Sequence, residues 1–260
     1  MPVERNTNLS LPQALSLQGR RALVVGAAGG IGRATALCLA ELGADLVVAD
    51  RAPMDSLCRE IEALGRSASA LQGDLTDDAF LDRIIAAGPY YSFAFTAGVF
   101  RREIGTSETQ ESFDFVMHVN VRAPLILGYK LIEQATPDQG GFIVIVGSSA
   151  GRSGHGGGLG EHMEYATYAA SKGGVNSVAR ALASKGASKN ILVNTVAPGV
   201  VYTPMIDETA PHLRNNTRAS PLGRGADPRE IGWPVALLCS PAASFMSGAL
   251  LHVNGGSSMG

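Results

Sequence analysis

The sequence predicts an α/β protein: one domain whose doubly wound parallel sheet of about seven strands carries helices on both faces. Three observations predict it. Short apolar runs bounded by turn residues alternate with helical patterns along the whole chain, the signature of strand–helix–strand units. A glycine cluster, Gly26-Ala27-Ala28-Gly29-Gly30-Ile31-Gly32, separates the first apolar run from the first helical pattern. And 260 residues with 45% hydrophobic content, without a repeat or a linker, make one core, large enough to need neither disulfide nor metal.

The elements follow in order. Residues 21–25 are the first strand. A helix spans 31–42, with Ala and Leu at helical spacing and Gly43 as its stop. Residues 46–49 are the second strand, 53–64 a helix closed by Gly65, and 68–71 the third strand. Thr76, with Asp77 and Asp78 behind it, is read as the N-cap of a short helix to about residue 87. Residues 93–96 are the fourth strand, and a long helical region runs over 107–134. The fifth strand, 142–146, leads into a glycine-rich loop over 151–160. A helix over 165–184 precedes the sixth strand, 191–196, which Pro198-Gly199 ends. A short helix is expected over 204–215. Another spans 228–239, with Pro228 in its first turn, and residues 249–253 are the last strand. Residues 1–18 read as a mobile arm, which leaves 19–260 as the domain.

Composition excludes several classes of function. Lys and Arg number 21 against 23 Asp and Glu, a net charge of −2, so no phosphate-neutralising face for nucleic acid is expected. No apolar run reaches the roughly 18–20 residues of a membrane helix, and the first ten residues lack the apolar stretch of a secretory signal. Cys38, Cys58 and Cys239 are odd in number and far apart. They read as small buried hydrophobes in a reducing, cytoplasmic setting. Glycine is the outlier, at 32 of 260 residues, nearly twice the average share of about 7%. With no Gly-X-Y period and no Gly/Ser tract, these glycines must serve turns, close packing or close approach to a ligand.

The cluster at 26–32 stands between a strand and a helix, the context in which such glycines have a mechanism. Gly26 lets the chain turn; Gly30 and Gly32 let backbone approach a pyrophosphate and let helix pack on strand. The helix N-terminus offers free N–H groups and the positive end of its dipole. Twenty-four residues after Gly26, Asp50 ends the second strand. A carboxylate there can hold both ribose hydroxyls of NAD and repels the 2′-phosphate of NADP. Arg51 pulls the other way, toward NADP, but Gly29 puts no basic side chain before Gly30. NAD is the expected cofactor and NADP the alternative.

Tyr168-Ala169-Ala170-Ser171-Lys172 places a phenol and an ammonium at i and i+4, on one helix face. A free phenol, with a pKa near 10, is too weak a base at neutral pH; a neighbouring cation favours its ionised form. Ser148 follows the fifth strand at its C-terminal end, where open α/β sheets bind ligands. Asn120 lies midway along a helical stretch, a poor position for Asn, and reads either as a kink that holds an ordered water or as a local side-chain bond.

In the order glycine motif, Asn120, Ser148, Tyr168-x-x-x-Lys172 and Pro198-Gly199, the chain resembles the short-chain dehydrogenase/reductase family from about Leu17 to Ser257. The resemblance implies a Rossmann-type fold and reversible hydride transfer between NAD(H) and a secondary alcohol or ketone, with a tightly held NAD in an epimerase or dehydratase as the alternative. It implies Tyr168 as acid/base, Lys172 on the nicotinamide ribose and lowering the Tyr168 pKa, Ser148 on the reacting oxygen and Asn120 on a relay water. It also implies a dinucleotide held by Gly26, Gly29, Gly30, Ile31, Gly32, Asp50 and Arg51. Asp74 and Leu75 would flank adenine, Ala97 and Gly98 would line the cofactor, and Pro198, Gly199, Val201 and Thr203 would meet the carboxamide end. A homotetramer, or a homodimer, is the expected assembly.

Four departures stand out. Val25 replaces a Thr before the first motif glycine. Phe95-Thr96-Ala97-Gly98 replaces Asn-Asn-Ala-Gly, which is expected to cost the central strands a polar support. The segment from Asp74 to Ala97 is short. Ser148 and Tyr168 are 20 residues apart, an insertion that carries His155 and His162 near the substrate mouth. Ser149, His155, His162, Tyr202 and Met205 are the candidate substrate contacts, the last in a lid-like stretch over 204–218. His155 and His162 lack a carboxylate cluster at ligand spacing, so no metal is expected.

Overall fold

The computed structural model describes residues 8–101, 109–154, 166–203 and 220–259. Seven strands form one sheet in the order β3-β2-β1-β4-β5-β6-β7, and every neighbouring pair is parallel. They are β1 (Arg21–Val25), β2 (Asp45–Asp50), β3 (Ala68–Gln72), β4 (Ser92–Phe95), β5 (Gly141–Val146), β6 (Ile191–Pro198) and β7 (Leu250–Val253). The order reverses between β1 and β4, so their C-terminal ends part into the crevice where such sheets take ligands.

Both faces are buried. In β1, Ala22 and Val24 join one core with Val48, Val144 and Val196, under α2 (Gly30–Glu41) and the helix α9 (Pro228–Leu238). Leu23 and Val25 point the other way, into a core with Phe93, Phe95 and Ile145 under α4 (Asp78–Ala86), α6 (Ala123–Gln134) and α8 (Ala166–Gly186). The two-residue period of a strand thus feeds two apolar layers, which explains the unbroken apolar runs in the sequence. Of the cysteines, Cys38 and Cys239 are buried and Cys58 partly so, all unpaired; burial pushes the Cys38 thiol up to about 11.

The structure differs from the sequence expectations at definite points. Asp77, not Thr76, caps α4, accepting the Ala79 N–H at 2.9 Å. Thr76 instead gives its N–H and hydroxyl to Asp74 Oδ1, both at 2.8 Å, because an Asp closes such a turn on the second residue beyond it. The long helical region divides into α5 (Gln110–Met117), a π-turn (His118–Arg122) and α6. Pro124 has no N–H to return to the Asn120 carbonyl four residues back. The ladder slips there to an i→i−5 bond, Ala123 N–H to the His118 carbonyl. In the segment expected as an arm, a short helix α1 (Leu11–Leu15) precedes Leu17, which is fully buried and bonds the Leu42 carbonyl through its N–H at 2.8 Å. The chain therefore joins the core two residues before residue 19. The short helix α3 (Asp55–Ala63) and the single turn α7 (Ala150–Ser153) complete the helices of the described residues. The helix expected over 204–215 lies outside them.

Candidate functional site

A cavity of about 370 Å³ opens at the C-terminal ends of β1, β4, β5 and β6. Around it stand Gly26, Gly29, Gly30, Ile31 and Gly32, then Asp50, Arg51, Asp74 and Leu75, then Ala97, Gly98, Pro198, Gly199, Val201 and Thr203, and beside these Ser148, Tyr168 and Lys172. Residues up to 177 positions apart in the chain are gathered there by the strand ends.

The glycines fill distinct roles. Gly26 has φ +87° and a side chain on it would collide with the Ala97 backbone; one on Gly32 would collide with the Gly26 carbonyl. These two close the loop and seat α2 on β1. Gly30 has φ +51° and lies under Thr203, whose methyl a Cβ would meet at 2.9 Å. A Cβ on Gly29 would meet nothing within 4 Å, so that position is open toward the cavity. No side chain caps α2, and its first turn borders the cavity with N–H groups that a helix leaves without intrahelical partners. The arrangement fits a diphosphate. Asp50 fastens the loop: its Oδ2 accepts the Ala28 N–H and its Oδ1 the Ala52 N–H, both at 3.0 Å. Asp74, held by Thr76, has its carboxyl well below the usual range, chiefly through the backbone N–H bond. Thr96 corrects one expectation. Its hydroxyl donates to the Val25 carbonyl at 2.7 Å, so the polar link between β4 and β1 survives the replacement of Asn.

The deeper end holds the titratable pair. Lys172 is 4% exposed and its Nζ donates to the Val146 carbonyl at 3.0 Å. Burial pulls the ammonium down to about 8. Nζ stands 5.8 Å from the centre of the Tyr168 ring. Desolvation raises the Tyr168 pKa, and a hydrogen bond from Ser148 opposes the rise. Burial outweighs the ammonium beside it, so the phenol stands above its ordinary pKa. Asn120 is fully buried. Its Nδ2 donates to the Val99 carbonyl at 2.9 Å and to Ser171 Oγ at 3.0 Å, and its Oδ1 accepts the Val99 N–H at 2.8 Å. Ser171 donates to the Tyr168 carbonyl at 2.7 Å. The Asn120 side chain is a clamp behind the cavity wall, with both its amide donors and its carbonyl oxygen bonded to protein groups.

Other expectations divide. Ser149 heads α7, bonds the Pro198 carbonyl through its N–H at 2.8 Å and does not border the cavity. Neither does Tyr202, whose ring covers Gly225 and whose hydroxyl accepts the Gly225 N–H at 3.0 Å. His155, His162 and Met205 lie outside the described residues. Sequence reading missed Val99, Phe115 and Val119, which border the cavity, and Phe100, which meets Tyr168 edge-on with ring centres 5.6 Å apart and planes at 90°. Val99 and Phe100 directly continue Ala97-Gly98 and could have been found so; Phe115 carries no sequence signal. Among the described residues there is no cluster of metal ligands and no helix long and apolar enough to cross a membrane.

Fold and cavity define a class: a dinucleotide-dependent oxidoreductase on a Rossmann-type sheet. A family model described as enoyl-(acyl carrier protein) reductase matches residues 26–258. The 3-oxoacyl-[acyl-carrier-protein] reductase of Vibrio cholerae is 33% identical over 248 residues, which cover 93% of this chain and 98% of that one. Cis-4-hydroxycyclohexanecarboxylate dehydrogenase of Sinomonas cyclohexanicum is 34% identical, covering 91% of this chain and 96% of its own. The crystal structure of a putative 2-deoxy-D-gluconate 3-dehydrogenase from Agrobacterium tumefaciens with bound NADP superposes with a TM-score of 0.81 at 31% identity, over 94% of this chain and 98% of that one. The chain belongs to the short-chain dehydrogenase/reductase family and is an oxidoreductase acting on CH–OH or ketone groups.

A neutral phenol must ionise before it can accept an alcohol proton, so alcohol oxidation should rise with pH. Because the Ser148 hydrogen bond is what opposes the raised Tyr168 pKa, Ser148→Ala should move that rise to higher pH as well as slow turnover. A pH profile of kcat/KM that keeps its position in the variant would contradict this assignment.

Proposed function

We propose that the protein transfers a hydride between NAD(H) and a secondary alcohol or ketone, with Tyr168 as acid/base. The carrying observation is the buried Lys172 ammonium 5.8 Å from the centre of the Tyr168 ring, with Ser148 beside them on the same cavity. Bound nicotinamide supplies the hydride acceptor or donor. In oxidation, the Tyr168 oxygen takes the hydroxyl proton as the C–H bond releases hydride. In reduction, it returns that proton to the carbonyl oxygen. Ser148 orients the reacting oxygen, and Lys172 adds positive charge beside the phenol, where the ionised form gains from it.

Asp50 supports NAD: its carboxylate is fixed by two N–H groups at the end of β2 and borders the cavity, where it would repel a 2′-phosphate. A second reading, NADP, draws on Arg51, which borders the same end of the cavity, and on the Agrobacterium relative, whose crystal structure contains NADP. A homo-oligomer, a tetramer or a dimer, draws support from Trp233, Leu237 and Phe245, large apolar side chains exposed on and just after α9. Unpaired cysteines support a reducing, cytoplasmic setting.

Reduced nicotinamide formed from a panel of secondary alcohols, with NAD and NADP in parallel, tests the reading. Tyr168→Phe should lose turnover by about 10²–10⁴-fold and still bind dinucleotide; full activity in it would sink the mechanism. Asp50→Ala should weaken NAD and bring the NADP/NAD ratio of kcat/KM up by on the order of tenfold. An unchanged ratio would show that Asp50 does not select the cofactor.

A further inference from the structure

We propose that Arg101 is a carboxylate-binding residue of this site, so that the alcohol or ketone it takes joins an apolar body to a carboxylate. The proposal rests on the reading above and adds the substrate class to it.

The path of the chain places Arg101. Beyond Gly98, Val99 is held at both its N–H and its carbonyl by Asn120. Phe100 then lies edge-on against the Tyr168 ring. Arg101 is one Cα step, about 3.8 Å, further along, and is exposed. Its guanidinium carbon lies 4.8 Å from the centre of the Phe115 ring, and Phe115 borders the cavity. The cation is thus stacked at the rim, next to the residue that touches the phenol.

What Arg101 lacks is an anion. Among the described residues, Arg33, Arg122, Arg224 and Arg229 each reach a carboxylate, of Glu60, Asp78, Glu230 and Glu41 respectively. Arg101 has no hydrogen bond or ion pair there; Arg20, Arg51 and Arg59 also reach no carboxylate, but only Arg101 lies against a ring that borders the Tyr168 end of the cavity. A guanidinium lying over an aromatic ring still has N–H groups to offer a carboxylate. The cations that line the cavity itself are committed elsewhere. Lys172 is buried on Val146, and Arg51 stands at the far end with Asp50 and Asp74, to whose carboxyl it contributes. On the Tyr168 side, apart from Ser148, Tyr168 and Lys172, the described wall is apolar, made by Val99, Phe115 and Val119, with Phe100 against the Tyr168 ring. A substrate matched to that wall is hydrocarbon in its body and anionic at the end away from its hydroxyl.

The test uses the intact protein and matched pairs: 3-hydroxybutyrate, 4-hydroxypentanoate, 5-hydroxyhexanoate and 4-hydroxycyclohexanecarboxylate, each against its methyl ester. The wild type should favour at least one acid over its ester. In Arg101→Gln the acid-over-ester ratio of kcat/KM should fall by on the order of tenfold, through KM, and Arg101→Lys should recover part of it. Dinucleotide binding reports that the variants are folded. Turnover of esters with no acid preference in the wild type, or a ratio equal in wild type and Arg101→Gln, overturns the role of Arg101 and leaves the hydride-transfer reading standing. Absence of turnover with acids, esters and the wider alcohol panel alike overturns that reading, and this inference with it.

Discussion

One buried amide organises the site. Asn120 uses both its N–H donors and its carbonyl oxygen on Val99 and Ser171, and so ties the end of β4 to the middle of α8 from a position on neither. Each such bond is worth only about 1 kcal/mol net, but a buried amide left without partners costs about 1–3 kcal/mol more, so the clamp has little freedom to rearrange. Its two branches converge on one residue. Through Val99 it sets Phe100 against the Tyr168 ring; through Ser171 it grips the Tyr168 carbonyl. The phenol is held by its backbone and by its ring, and its oxygen is left to Ser148 and the cavity. The π-turn that carries Asn120 owes its form to Pro124, so a missing N–H on α6 is transmitted to Tyr168, some 44 positions later.

Enclosure then sets the electrostatics. Burial works against charge on both members of the pair, lowering the Lys172 ammonium and raising the Tyr168 phenol. In the protein alone the phenol is therefore neutral at physiological pH, the form that can donate a proton to a carbonyl. To act as a base it needs further positive charge nearby, which the oxidised nicotinamide ring carries. In the proposed hydride transfer, the direction of the reaction and the charge of the cofactor would be coupled in this way. At the other end, Asp50 is a loop fastener: the two N–H groups it accepts would be orphaned by its removal, so the binding role proposed for it would share one carboxylate with a structural one.

The fold was legible because strand and helix periods alternate cleanly and both faces of the sheet are apolar. The glycine loop was legible by spacing, although the reasons differ by position. Gly26 and Gly32 are required by the protein's own backbone, whereas Gly29 answers to nothing but the cavity. Tyr168 and Lys172 were legible as a helical pair, but the balance between ammonium and desolvation was not, because burial is a property of the assembled site. Asn120 stood out as a poor helix residue; that its side chain would be consumed by Val99 required the path of the chain after β4. Thr96 shows the same limit, since a hydroxyl replaces an amide only if the neighbouring strand end lies within 3 Å. Phe100 meets Tyr168 and Arg101 meets Phe115 on the loop that leaves β4, and no periodicity in the sequence encodes those meetings. Much of the glycine excess, by contrast, has a place: it lies where strand ends give way to the cavity.

The central claim is that the Asn120 clamp positions Tyr168, and the exchange rate of the Val99 amide hydrogen reads that clamp directly. In the wild type this hydrogen, bonded to Asn120 Oδ1, should exchange slowly. In Asn120→Ala it should exchange on the order of a hundredfold faster, since the loss of the local bonds opens the segment by a few kcal/mol. Turnover should fall in the same variant while dinucleotide binding persists. Unchanged protection of Val99 together with unchanged turnover would contradict the account.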